Sequence, residues 1–161
     1  MQERSDQKDE KVDSVGQEMY LEVLGKPVFD EKHRPPLVGV REFTINHLFA
    51  NVWSRSRDKA IECQGISLRE RRLITIALLA AQGRSDQLRD HATGAFIAGI
   101  KEKDLLEVMI HVAHYAGWPA GTSGQSVIQG AHDAYNKRVD NEHQSPDRMV
   151  LKLNHGKLEE L

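Results

Sequence analysis

Only one cysteine, Cys63, occurs among the 161 residues. An internal disulfide is excluded, and so is a Cys-x-x-Cys redox pair within one chain. Cys63 therefore reads as a packed or incidental thiol, dispensable for activity. Redox chemistry through Cys63 between subunits is the weaker alternative. Long apolar runs are also missing. The longest mainly apolar stretch, residues 73–81, is far too short to span a bilayer, which argues against a membrane partner. No long basic run and no interleaving of basic and aromatic residues stands out, so nucleic acid is not an expected partner either. Residues 1–13 are charged and lack the apolar core of a signal peptide, which makes a cytoplasmic location the expectation. No internal repeat or low-complexity segment appears.

What is present suits one globular domain with tails. Apolar residues make up 39% of the chain and charged residues 29%, with a net charge of -2, a water-compatible composition. The polarity is concentrated at the two ends. Residues 1–13 read as a disordered tail, residues 14–138 as the domain, and residues 139–161 as a polar C-terminal tail. Within that tail Met149, Val150, Leu151 and Leu153 form one apolar cluster. It is open between docking on a neighbouring subunit and remaining mobile.

The domain reads as all-α. A short helix is expected from Ser14 as N-cap to a stop at Gly25. Residues 26–36, with Pro27, Pro35 and Pro36, break regular structure. Helical spacing returns over 38–52, with Val40, Phe43, Ile45, His47 and Leu48 on more than one face. Residues 53–65 are polar and irregular and read as a loop. Ser67 is a plausible N-cap for a helix over 69–82 ended by Gly83. Its second half has no polar face, which predicts burial on all sides and the most buried segment at 73–81. Ser85 is expected to cap a helix running to Ala98, with Gly99 behind it. A further helix begins at 101–104, where Glu102 and Asp104 suit the positive helix end, and stops at Gly117. Pro119 fits the first turn of a last helix reaching about Lys137. Gly121, Gly124 and Gly130 make sense there if that helix packs closely on a neighbour.

Three groups of residues carry candidate chemistry. His91 shares a helix face with Gln87 and Ala95, and Gly94 lies on an adjacent strip. Little side-chain bulk surrounds it, and imidazole changes charge near neutral pH, which suits proton transfer without a cofactor. A plain surface or interface histidine is the competing reading. The second group is His111, His114 and Tyr115. His111 and Tyr115 share a face, and the two histidines could hold a metal only if a third ligand converged. Glu107, four residues before His111, is its expected hydrogen-bond partner. The third group is arginine: Arg55 after Trp53, and Arg69, Arg71 and Arg72 before the apolar helix. Arginine grips carboxylates in a bidentate fork, which suits a small acidic organic molecule. Salt bridges to Glu70, Asp86 or Asp90 are the alternative.

The run LRERRLITIA at 68–77 resembles the opening of the carboxymuconolactone decarboxylase domain. Gln87-Leu88-x-x-His91 with Ala95 and Gly99 is similar to its next helix, and EVMIHVAHYAGWPA at 107–120 to its third. Val52-Trp53-Ser54-Arg55 looks like an upstream element of the decarboxylase branch. Together these span residues 38–135. The resemblance implies an AhpD-like helical bundle and a ring-shaped homo-oligomer, a trimer or hexamer. The alkylhydroperoxidase branch of that family places two cysteines ahead of the histidine. Arg84 and Gln87 stand there in this chain, which disfavours thiol peroxidase activity. The remaining branch is a lyase of aromatic-compound degradation working without cofactor or metal. By resemblance His91 is the proton donor or acceptor with Gln87 beside it. Arg71 and Arg55 contact the anion, and Trp53, His111 and Tyr115 line the substrate. Many relatives carry Glu where Gln87 stands. The alternative is a non-catalytic ligand-binding or accessory member of the same fold.

Overall fold

The computed structural model describes residues 13–26, 39–56 and 65–144. Every regular element among them is helical. The chain divides into two compact units, Met1–Thr75 and Ile76–Leu161. Cys63, residues 1–12 and the apolar cluster at 149–153 lie outside the described residues.

In the first unit α1 (Ser14–Leu24) is capped by Asp13, one residue earlier than expected. The Asp13 carboxylate accepts from the Gly16 amide at 3.0 Å, and Gly25 closes the helix in the left-handed conformation. Aspartate is the better cap here because its charge also meets the positive helix end. Residues 39–56 differ more from the sequence reading, and the rest of the expected loop, 57–64, lies outside the described residues. A short α2 (Val40–Phe43) passes into a π-helix (Thr44–Trp53) and then a 3-10 turn (Ser54–Ser56). Trp53 is thus the end of a helix and not the start of a loop. The π-helix buries Ile45, Phe49 and Trp53, each four residues from the next. An i→i−5 helix is wider than an α-helix, so every fourth residue comes closer to alignment. At 3.6 residues per turn the same three residues would drift by about 40° at each step. The Asn51 side-chain amide reinforces the wide turn by donating to the Asn46 carbonyl at 2.6 Å.

The core of this unit is Met19, Tyr20, Val23, Leu24, Ile45, Phe49 and Trp53, with Leu68 of α3 (Leu68–Ala81) packed against it. The Tyr20 and Phe49 rings meet edge-on at 4.8 Å, and Phe49 stacks on Trp53 at 6.2 Å. Arg72 ties α3 to α1. It is 2% exposed, and its two terminal nitrogens donate to the carbonyls of Val23 at 2.6 Å and Glu22 at 2.7 Å. Carbonyls at a helix C-terminus lack partners within the helix, and a cation there also meets the negative end of the dipole. Burial lowers the guanidinium's affinity for its proton. Arg72→Ala removes two charge-assisted bonds and strands both acceptors. A destabilisation of about 3 kcal/mol is expected, and a loss below about 1 kcal/mol in a urea titration would contradict it.

The start of α3 is a capping box. The Glu70 amide donates to the Ser67 hydroxyl at 3.2 Å, and the Ser67 amide donates to the Glu70 carboxylate at 2.6 Å. Bonds to Ser67, its side chain first and then its backbone, hold the Glu70 carboxyl below its ordinary pKa. The burial expected for residues 73–81 is only half present. Ile76 and Ala80 are buried, but Ile74 and Leu78 are 45% and 55% exposed. Four-residue spacing separates the two pairs into two faces, both apolar and only one of them covered within the subunit.

The second unit contains α4 (Ser85–Ile97), α5 (Glu102–Ala116) and α6 (Trp118–Gln144), with α4 and α5 each packed on α6. Arg84 occupies the N-cap of α4 without a side-chain bond, so Ser85 is its first helical residue and not its cap. Gly121 and Gly124 mark where α6 meets its neighbours. A Cβ on Gly121 would come within 2.6 Å of the Ala113 Cβ and 2.8 Å of the Met109 carbonyl, and one on Gly124 would collide with the Met109 sulfur. At Gly130 a Cβ meets nothing within 4 Å, so the close-packing reason covers two of the three glycines. α6 also runs past Lys137, because neither glycine nor proline interrupts the sequence between Gly130 and Pro146. His132 of α6 lies 3.3 Å from the Glu102 carboxylate in the first turn of α5 and 5.0 Å from the Phe96 ring of α4. No helix among the described residues is long and apolar enough to cross a membrane.

Candidate functional site

α4 leaves a left-handed turn at Gly83 and carries its buried residues Leu88, Ala92, Gly94, Ala95 and Phe96 on the side that packs. Gln87, His91 and Ala95 follow one another along the helix surface from water inward. Gln87 is exposed, His91 is half-buried and Ala95 is fully buried. The Nδ1 of His91 is shielded from solvent. On its inward side the half-buried imidazole adjoins Gly94 and Ala95, which add little side-chain bulk there. The Asp86–Arg89 pair one turn earlier is 3.1 Å long and largely exposed, so it adds little to stability.

The second group sits at the C-terminal end of α5. The rings of His111 and Tyr115 meet at 4.5 Å, tilted by 34°. The bond expected from Glu107 to His111 is not formed; His111 turns to Tyr115, one helical turn onward, where two rings gain more contact than a solvated ion pair. His114 donates from Nδ1 to the Ile110 carbonyl at 2.8 Å. Gly117 ends the helix at φ 100°, a conformation that side chains resist. The resulting corner leaves Tyr115 81% and Trp118 68% exposed. No cluster of three or more histidine, cysteine or acidic side chains arranged to hold a metal occurs among the described residues.

The other predicted site residues belong to the first unit. Trp53 is 5% exposed and part of that unit's core. Arg55 is exposed on the 3-10 turn. Arg71 is half-buried, and its Nε is shielded from solvent with no hydrogen-bond acceptor among the described residues. A charged N–H in that state is rare in folded proteins and asks for an acceptor. Arg72, read from the sequence as a further anion contact, is committed instead to α1. A signal for this was present: Arg72, Ile76 and Ala80 recur at four-residue steps on one face. The structure therefore joins His111 with Tyr115, grades Gln87 and His91 along one surface of α4, and keeps Trp53, Arg55 and Arg71 in the Met1–Thr75 unit.

Comparison with known proteins agrees with this helical architecture. Residues 48–127 match the model of the carboxymuconolactone decarboxylase family. The chain is 34% identical over 131 residues to a 4-carboxymuconolactone decarboxylase of Acinetobacter baylyi, covering 75% of this chain and 87% of that relative. The matched interval contains Trp53, Arg55, Arg71, Gln87, His91, His111 and Tyr115.

Proposed function

Because the chain belongs to the carboxymuconolactone decarboxylase family, we propose that it is a cofactor-free lyase. It removes carbon dioxide from a small carboxylated lactone or oxo acid, either 4-carboxymuconolactone itself or a related substrate. The bond between the carboxylate carbon and the ring breaks, and its electron pair passes into the conjugated carbonyl as carbon dioxide leaves. A proton is then delivered to carbon. A protein assists this by holding the acid, stabilising the developing oxyanion and supplying the proton. His91 handles the proton, with Gln87 beside it. By resemblance Arg71 and Arg55 are the anion contacts and His111 and Tyr115 the substrate contacts, while Trp53 is packed in the core of its own unit.

The observation that carries this reading is Arg71. Its guanidinium keeps a shielded Nε–H without an acceptor among the described residues, and a carboxylate supplies what that group lacks. Arg71→Lys keeps the charge but loses the planar fork. With 4-carboxymuconolactone or an accepted analogue, KM is expected to rise about tenfold with kcat little changed. The assay is release of carbon dioxide across a panel of carboxylated lactones and oxo acids. No release from any member would sink the lyase reading.

One observation favours a second reading. Gln87 is an amide where many relatives have a carboxylate, and an amide neither takes nor gives a proton at neutral pH. A non-catalytic ligand-binding or accessory member would bind the same acids without turning them over. Saturable binding by calorimetry with no product formed would decide for it. On either reading the protein acts as a homo-oligomer, a trimer or hexamer. The exposed Ile74, Leu78, Tyr115 and Trp118 give such an assembly apolar surface to cover.

A further inference from the structure

Two contacts of different kinds hold the first turns of α3 against the first unit. Leu68 packs on the apolar core of that unit. Arg72, four residues on and on the same helix face, donates to the Val23 carbonyl at 2.6 Å and the Glu22 carbonyl at 2.7 Å. Apolar packing has no preferred direction, so Leu68 alone lets the helix turn or slide. A planar guanidinium bonded to two successive carbonyls does not, because each bond weakens steeply as its angle opens. The Arg72 fork therefore sets the rotation of α3 about its own axis. Arg71 is the next side chain, about 100° round that axis. It is half-buried, and its shielded Nε–H meets no acceptor among the described residues. An N–H away from water attracts an anion more strongly than a solvated one, so what Arg71 can do depends on that rotation. About 6 Å from a helix axis, a turn of about 20° moves a group by roughly 2 Å. Such a shift is enough to break a hydrogen bond.

We propose that Arg72 is a positioning residue for Arg71: its two bonds to the end of α1 hold Arg71 at the rotation where it grips a carboxylate. Arg72 is 2% exposed and touches no substrate itself. Its charge is committed to backbone carbonyls, and its effect on the ligand passes through the neighbouring side chain. The two adjacent arginines thus divide one task, the first binding and the second holding the first in place. The inference rests on the reading of Arg71 as the anion contact and adds a second residue to it. It makes anion affinity, and not stability alone, depend on a bond between α3 and α1.

A double-mutant cycle tests this. Arg72→Lys keeps the charge but loses the planar fork. It is compared with the wild type, Arg71→Lys and the double variant, at a temperature where circular dichroism shows all four folded. Arg72→Gln, which keeps an N–H donor, takes its place if the lysine variant does not fold. With 4-carboxymuconolactone, Arg72→Lys is expected to raise KM about fivefold and change kcat less than about twofold. In the Arg71→Lys background the same change is expected to add less than about twofold, because the group it positions is already gone. A KM that stays at the wild-type value while the melting temperature falls would overturn the proposal, leaving Arg72 a purely structural tie. Effects that multiply fully in the double variant would overturn it as well. A second measurement needs no turnover: phenylglyoxal modification of arginine, followed by peptide mass spectrometry. Arg71 should be modified at least about threefold faster in Arg72→Lys, since a freed helix exposes it to solvent, and an unchanged rate would overturn the positioning. If no carboxylated compound is turned over, the lyase reading fails, and the modification rate alone decides whether Arg72 holds Arg71.

Discussion

His91→Gln is expected to lower kcat at least about a hundredfold on a substrate whose turnover has been verified, with folding and oligomer size unchanged. This is a hypothesis about proton handling. Glutamine keeps roughly the size and hydrogen-bonding capacity of histidine but does not titrate, so the change isolates acid–base function from packing. General acid–base assistance is typically worth on the order of 10²–10⁴ in rate, which sets the expected loss. The structural setting permits so clean a substitution. His91 is half-buried, between the exposed Gln87 and the fully buried Ala95, and is not itself a core residue. The measurement is kcat by initial rates, with thermal melting and light scattering as controls. Activity within about threefold of the wild type would mean that the proton comes from elsewhere. A large loss together with a lowered melting temperature would point to a structural role instead.

Ile76→Asp is expected to abolish the folded state, whereas Leu78→Asp should keep it. The residues are neighbours on α3 and both are large and apolar, yet Ile76 is fully buried and Leu78 is 55% exposed. An aspartate at 76 would have to ionise in the core or bind a proton at neutral pH. Either cost rivals the whole stability of a small domain, which is about 5–15 kcal/mol. An aspartate at 78 reaches water from the same subunit. If the Leu78 face is covered by another copy, that variant should remain folded but lose mass by light scattering. Soluble expression and circular dichroism of the two variants decide the matter. Equal behaviour of the pair, in either direction, would contradict the division of α3 into a packed and a bare apolar face.

Local chemistry made much of the fold readable in advance. Gly25, Gly83, Gly99 and Gly117 all take positive φ, as glycines that end helices do, and Pro119 lies in the first turn of α6. Ser67 followed three residues later by Glu70 forms the capping box that such a pattern encodes. These features depend on residues close in sequence, whose geometry is settled by a single turn of backbone. The segment at 39–56 was less readable. A π-helix has no composition of its own, and its stability comes from the residues its wider turn brings into a core.

Sequence alone was sufficient to determine that this chain is helical, where most of its helices stop and which family its motifs resemble. It also marked His91, His111 and Tyr115 as candidates among many polar residues, because helical spacing and motif order are one-dimensional properties. Only the tertiary structure decided which apolar residues are covered and which arginine is already spent. Ile76 and Leu78 are equally hydrophobic, and their difference arises from what lies beside each one. Arg71 and Arg72 are adjacent and chemically identical. Their roles separate because rotation by one residue about the helix axis carries Arg72 to the carbonyls of Glu22 and Val23, about fifty residues away in sequence, and leaves Arg71 with an N–H that meets no acceptor among the described residues.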